Sequence, residues 1–175
     1  PYLSTSIMSR PESAFDNGPG SHSGDVAARG IAIQLEDGWK SGMIFDADLM
    51  RMSAGWVDGS LRLVGVAFNG GHGPSPTLGS APLFQTPCQP GWANPYGSFE
   101  DPRPNSISPL PPPGPLPDHW ARYTGIYTHG RNVVLAYTVG DSKVLEHPGL
   151  ESHQGFKALV RTIQIENSSH PLALM

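Results

Sequence analysis

Residues 123–146 read YTGIYTHGRNVVLAYTVGDSKVLE. Two runs rich in aromatic and β-branched residues, 123–128 and 133–139, flank His129-Gly130, and Gly140-Asp141 then turns the chain into residues 143–146. Gly-containing dipeptides between such runs are hairpin signals, so the stretch predicts a three-stranded antiparallel meander. The same logic extends toward the N-terminus. In residues 49–56, Met50, Met52, Ala54 and Trp56 occupy one parity and Arg51 and Ser53 the other, the pattern of a half-buried strand. Asp58-Gly59 comes next as a hairpin signal, and residues 61–68 return as a partner strand. Ile31, Ile33 and Leu35 alternate in an earlier strand, residues 42–46 form a short one, and Leu159, Ile163 and Ile165 alternate in a late one. No segment carries a 3.6-residue period. The expected fold is all-β, a mostly antiparallel β-sandwich or half of a larger one, with one long Pro/Gly-rich connection.

Composition agrees. Of 175 residues, 21 are Gly and 19 are Pro, roughly 23% against a usual ~12%, which excludes a helical bundle. With 38% apolar and only 15% charged residues the chain is not built like a disordered one. The length suits a single β-rich domain over residues 1–175. Net charge is −4, and the eight Arg and three Lys are scattered, so neither a nucleic-acid partner nor a polybasic membrane patch is expected. Residues 63–99 lack Asp, Glu, Lys and Arg, yet Gly and Pro interrupt them so often that no membrane-inserting span of ~18 apolar residues exists. A single cysteine, Cys88, rules out an internal disulfide and a Cys-based zinc site. The chain opens on Pro1 without a signal-peptide pattern and stops at Leu172-Ala173-Leu174-Met175 in what reads as mid-strand, so a piece of a larger protein is expected.

Between the strand groups lies a connection over residues 70–118, far beyond ordinary loop length. Its second part, residues 104–117, holds seven prolines in fourteen positions and favours extended polyproline II. Its first part carries Phe84, Trp92, Tyr96 and Phe99, which are expected to fold back over a sheet. Residues 91–102 are the densest in chemistry: Trp92 and Tyr96 offer flat faces, and Glu100 and Asp101 offer paired acceptors, as carbohydrate recognition requires. Structural locking of an aromatic loop uses the same residues. Asn69-Gly70-Gly71-His72-Gly73 could bring Asn69, His72 and backbone N–H groups to a ligand, although a tight turn explains it as well. Asp46-Ala47-Asp48 reads as a turn cap rather than a Ca²⁺ or sugar site. Trp120, Tyr123 and Tyr127 read first as core and rim packing, with ligand stacking by Trp120 and contacts from His129 as the functional alternative. Glu146-His147, Glu151 and His153 have no recognised metal spacing, and Pro148-Gly149 among them suggests a solvated loop. No G-x-S-x-G elbow occurs, Cys88 reads as a loop residue, and neither cofactor nor metal is expected.

Several blocks together resemble a known family. They are Gly30-Ile31-Ala32-Ile33, the run from Ile44 through Phe45-Asp46-Ala47-Asp48 to Trp56, Gly91-Trp92-Ala93, Gly97-Ser98-Phe99-Glu100-Asp101-Pro102-Arg103, Tyr123-Thr124-Gly125-Ile126-Tyr127 and Tyr137-Thr138-Val139-Gly140. Over roughly residues 28–165 the chain looks like an uncharacterised domain of very large exported bacterial proteins, often found beside a sorbosone or glucose dehydrogenase-like propeller and a c-type cytochrome domain. The resemblance implies a secreted or periplasmic setting and neighbouring domains of the parent chain as partners. It assigns no catalytic residues. The function expected is a non-catalytic accessory sandwich that binds carbohydrate or docks those neighbours. The alternative is a polysaccharide hydrolase or lyase with Glu100, Asp101, His72 and His129 around a cleft.

Overall fold

The computed structural model describes residues 2–11, 26–63, 76–104 and 114–175. Eleven strands occur among the described residues: β1 (Tyr2–Pro11), β2 (Val26–Gln34), β3 (Gly42–Asp46), β4 (Arg51–Trp56), β5 (Leu61–Arg62), β6 (Thr77–Leu78), β7 (Phe84–Gln85), β8 (Ala121–His129), β9 (Asn132–Val139), β10 (Ser142–His153) and β11 (Phe156–Ile165). The only helical turn among them is a 3-10 turn at Asp37–Trp39, and no described helix is long and apolar enough to cross a membrane. One sheet has the order β5-β6-β1-β2-β3-β4-β7 and the other β11-β10-β9-β8. All pairings are antiparallel except β1 with β6.

The meander forms as its sequence dictates, with the turns at Gly130-Arg131 and Gly140-Asp141 and both glycines at positive φ, 58° and 57°. A Gln154-Gly155 turn adds β11 as the fourth strand. Pro148-Gly149 is not a loop: β10 runs straight through it to His153. Its pairing with β9 ends at Glu146–Leu135, so Pro148 sits where β10 has only β11 as a partner and a missing N–H is tolerated.

The inward faces of the two sheets meet in one core. Ile31, Ile33, Met43, Phe45 and Met52 pack against Val133, Leu135, Tyr137, Val139 and Val144, and Phe45 stacks on Tyr137 with ring centroids 5.6 Å apart. The other face of the larger sheet is buried as well. Ile7, Ala27, Ala32, Ile44, Ala54 and Trp56 form a second core with Leu61 and Leu78 of β5 and β6. At about 1.5–3 kcal/mol for each large apolar side chain removed from water, both clusters contribute substantially.

β4 corrects the half-buried reading. Ile44 pairs with Ala54 but Phe45 pairs with Met52, so Ser53 is an extra residue, a bulge in β4. The bulge breaks the alternation: Met50 and Met52 enter the core between the sheets, whereas Ala54 and Trp56 enter the second core. All six residues of β4 are buried, including Arg51. The Asp58-Gly59 hairpin is also corrected, because β5 pairs with β6 and not with β4. Asp58, at φ 50°, lies in a crossing whose Gly59 N–H donates to the Lys40 carbonyl at 2.8 Å. Residues 64–68 of the expected return strand lie outside the described residues.

The Ser53 hydroxyl is buried and without a hydrogen-bond partner. Ser53→Ala is therefore expected to melt at or slightly above the wild-type temperature. Deleting Ser53 would instead drive Ala54 and Trp56 onto the wrong face and abolish the cooperative thermal transition. A near-native melt of the deletion variant would refute the bulge as the element that sorts β4 between two cores.

Candidate functional site

The connection after β7 is held down at its start by Arg51. Its Nε donates to Asp46 Oδ2 at 3.2 Å, Nη1 to the carbonyls of Thr86 and Pro87 at 2.9 and 3.0 Å, and Nη2 to the Val26 carbonyl at 3.1 Å. Asp46 Oδ1 also accepts the Asp48 N–H at 3.1 Å, the turn-capping role read from the sequence. Gly91 then lies directly on the β3–β4 turn, where any Cβ would collide with the Met50 carbonyl and Arg51 Cα, and its N–H donates to the Leu49 carbonyl at 2.8 Å. Cys88 lies between these anchors, and burial pushes its thiol up, away from nucleophilic use.

Next come the tryptophans. Trp92 and Trp120 are both buried. Trp120 Nε1 donates to the Trp92 carbonyl at 2.9 Å, and Trp92 Nε1 donates to Tyr137 Oη at 3.3 Å. The Tyr137 hydroxyl donates to Glu146 Oε2 at 2.7 Å, and Arg161 Nε donates to Glu146 Oε1 at 2.6 Å. Burial, then the charge and hydrogen bond of Glu146, push the Tyr137 phenol far above the ordinary tyrosine range, so it remains a proton donor. These rings are buried in a seam across the core. The chain end closes over them: Ala93 N–H donates to the Ala173 carbonyl, Met175 N–H to the Gly91 carbonyl, and Leu174 bridges Trp92.

Tyr96 behaves oppositely. It is 95% exposed on a turn over residues 94–98 in which Asn94 Oδ1 accepts the N–H groups of Tyr96 and Ser98 at 2.9 and 3.0 Å. Asn94 N–H donates to the Ser98 carbonyl, and Gly97, at φ 83°, returns its N–H to the Asn94 carbonyl. Beside this turn opens a cleft at the end of the sandwich, floored by Trp120, Val139 and Leu172 and rimmed by Asn94, Asp141 and His170. An adjoining hollow shares Pro95, Asp141 and His170 and adds His119. A hydrogen bond from Ser169, with His170 nearby, holds the Asp141 carboxyl below the usual carboxylate range, so it is an ionised acceptor at neutral pH. The arrangement offers an apolar floor and several polar groups, next to the turn that carries Tyr96.

The structure thus joins two segments that the sequence marked separately, residues 91–98 and 118–120. Glu100 is exposed. Asp101 is engaged, accepting Arg103 Nε at 3.0 Å and Nη2 at 2.8 Å while Arg103 Nη1 donates to the Gly114 carbonyl at 2.7 Å. His129 is exposed at the β8–β9 turn, beside Arg131, whose ion pair with Asp37 places it at the opposite end of the sandwich. Asn69 and His72 lie outside the described residues. Sequence reading missed Asp141 and His170 as site residues, because the first marked only a turn and the second reaches the cleft by the return of the chain end. No group of three His, Cys, Asp or Glu able to hold a metal ion occurs among the described residues.

The fold is that of an all-β, sandwich-like domain with a small cleft at one end. The family model for a domain of unknown function, DUF6797, matches residues 43–146, and the chain belongs to that family. The match runs from β3 into β10 and so includes the Arg51 anchor, the turn bearing Tyr96 and the first hairpins of the meander. Comparison with curated proteins and with solved structures gives no match.

Burial alone would raise the Asp101 carboxyl, but side-chain and backbone hydrogen bonds from Arg103, with its charge, together hold it below its ordinary value. A depressed carboxyl contributes stability that is present above its unfolded pKa, about 3.9, and is lost as pH falls through the lower folded pKa. Urea midpoints measured from neutral pH down to about pH 2 should therefore fall less steeply in Asp101→Asn than in wild type. Identical acid limbs would show that the Asp101–Arg103 pair does not hold the loop.

Proposed function

We propose that the domain is a non-catalytic binding module that takes carbohydrate at the cleft between the 94–98 turn and the Gly140-Asp141 turn. The observation that carries this reading is Tyr96: a ring 95% exposed, fixed on a turn closed by Asn94, whose neighbours Asn94 and Pro95 line the cleft together with Asp141. An aromatic side chain left in water on a rigid turn is the usual anchor of a recognition surface. An accessory role in a large exported bacterial protein, docked to neighbouring domains, comes from the family resemblance and is part of the same proposal.

The enzymatic alternative draws no support from the positions of its described residues. Asp101 is held by Arg103, and His129 lies at the far end of the sheet. Glycan-array screening followed by calorimetric titration tests the binding reading. Tyr96→Ala should weaken a glycan hit by about tenfold or more with an unchanged melting temperature, and Asp141→Asn should weaken it less. No binding to any glycan, or full affinity in Tyr96→Ala, would remove the proposal.

A further inference from the structure

A second feature lies around the corner of the same turn, on the outward face of β8, β9 and β10. β8 carries a bulge of its own. Tyr123 pairs with Tyr137 and Gly125 pairs with Ala136, so Thr124 is the extra residue. Tyr123 and Tyr127 share sequence parity, and in a regular strand both would face the core. The bulge sends Ile126 inward in place of Tyr127 and leaves the Tyr127 ring outward, 65% exposed. Beside it the face is low. Gly125, Ala136 and Leu145 stand in one row across three strands, and a Cβ built on Gly125 meets nothing within 4 Å. The next row is Arg122, Thr138 and Lys143. Neighbouring strands lie about 4.7–4.9 Å apart, so the two cations flank a hydroxyl at a spacing that suits one carboxylate between them. In a chain of net charge −4 this is a local concentration of positive charge, offset only in part by Glu166, whose carboxylate is 3.5 Å from Lys143 with both groups exposed.

Arg122, Thr124, Tyr127, Ala136, Lys143 and Leu145 line one continuous trough. We infer that this trough is a subsite for an acidic sugar, a uronate, of the glycan bound at the end cleft. Its carboxylate sits between Arg122 and Lys143 with Thr138 as a further donor, and the face of an adjoining ring lies on Tyr127 over the Gly125–Ala136 floor. Arg favours a carboxylate by paired N–H donors, and the exposed setting makes the interaction sensitive to salt. Only the Gly140-Asp141 turn separates the trough from the end cleft, so a linear acidic polysaccharide can occupy both. The inference rests on the carbohydrate reading of that cleft.

The test uses the whole chain and two defined probes, a linear hexamer of galacturonic acid and neutral maltohexaose, titrated calorimetrically at low and at physiological salt. The hexauronate is expected to bind at least about tenfold more tightly at low salt, with most of that preference lost as salt is raised. Arg122→Gln with Lys143→Gln should abolish the preference while the melting temperature holds. Gly125→Val, which fills the trough with a residue strands accept, should do the same. Equal affinity for the two probes, or a preference that survives both sets of variants, overturns the subsite. Neutral binding that is lost in Tyr96→Ala but shows no uronate preference would overturn the subsite and leave the cleft standing. No binding of the hexauronate by any form would overturn the subsite.

Discussion

The guanidinium of Arg51 is the constraint on which the rest of the molecule depends. It is 1% exposed, and a buried charge without partners would be strongly destabilising, by several kcal/mol. Its partners come from three places: Val26 at the start of β2, Asp46 at the end of β3, and the carbonyls of Thr86 and Pro87 where the long connection begins. One side chain thereby fixes the β3–β4 turn against β2 and fixes where the connection leaves the sheet. From that point little freedom remains. Gly91 must lie on the turn's backbone, Trp92 must enter the core, and the 94–98 turn emerges at the sandwich end with Tyr96 pointing to water.

The same logic separates structural aromatic residues from available ones. Trp92, Trp120 and Tyr137 have their polar tips bonded along a seam that ends on Glu146 and Arg161, so their hydrogen bonds rigidify the core. Tyr96 and Tyr127 are the aromatic rings that two local devices, an Asn-closed turn and a β-bulge, direct outward. Tyr96 stands at the end of the sandwich formed by the start of β8 and the β9–β10 turn, and Tyr127 stands on the outward face of β8 toward the β8–β9 turn. The proposed binding surface joins polar groups such as Asn94 and Asp141 to the edges of core residues Trp120 and Val139.

The meander and the all-β class were legible because Gly-containing turns at fixed spacing encode hairpins locally. The two bulges were not. Ser53 and Thr124 differ in nothing local from an ordinary strand residue, yet each reverses the facing of the residues after it, sending Ala54 and Trp56 to a second core and Tyr127 to solvent. Arg51 read as a solvent-facing charge because its partners are 5, 25, 35 and 36 residues away. Pro148 read as a loop because its tolerance depends on where β9 stops. Of the aromatic residues expected to fold over a sheet, Trp92 is buried and Tyr96, four residues on, is exposed, a difference settled by packing and not by composition.

The central claim is that the described parts of the connection after β7, residues 86–104 and 114–120, are locked into the fold and leave Tyr96 exposed. Amide hydrogen exchange of the intact chain tests it most directly at Gly91, Ala93, Leu116 and Trp120, whose N–H groups donate to Leu49, Ala173, Asp48 and Pro117. The account predicts that these amides exchange only through global unfolding, as slowly as those at the centre of β9. Exchange at the rate of an open loop, with β9 still protected, would contradict it.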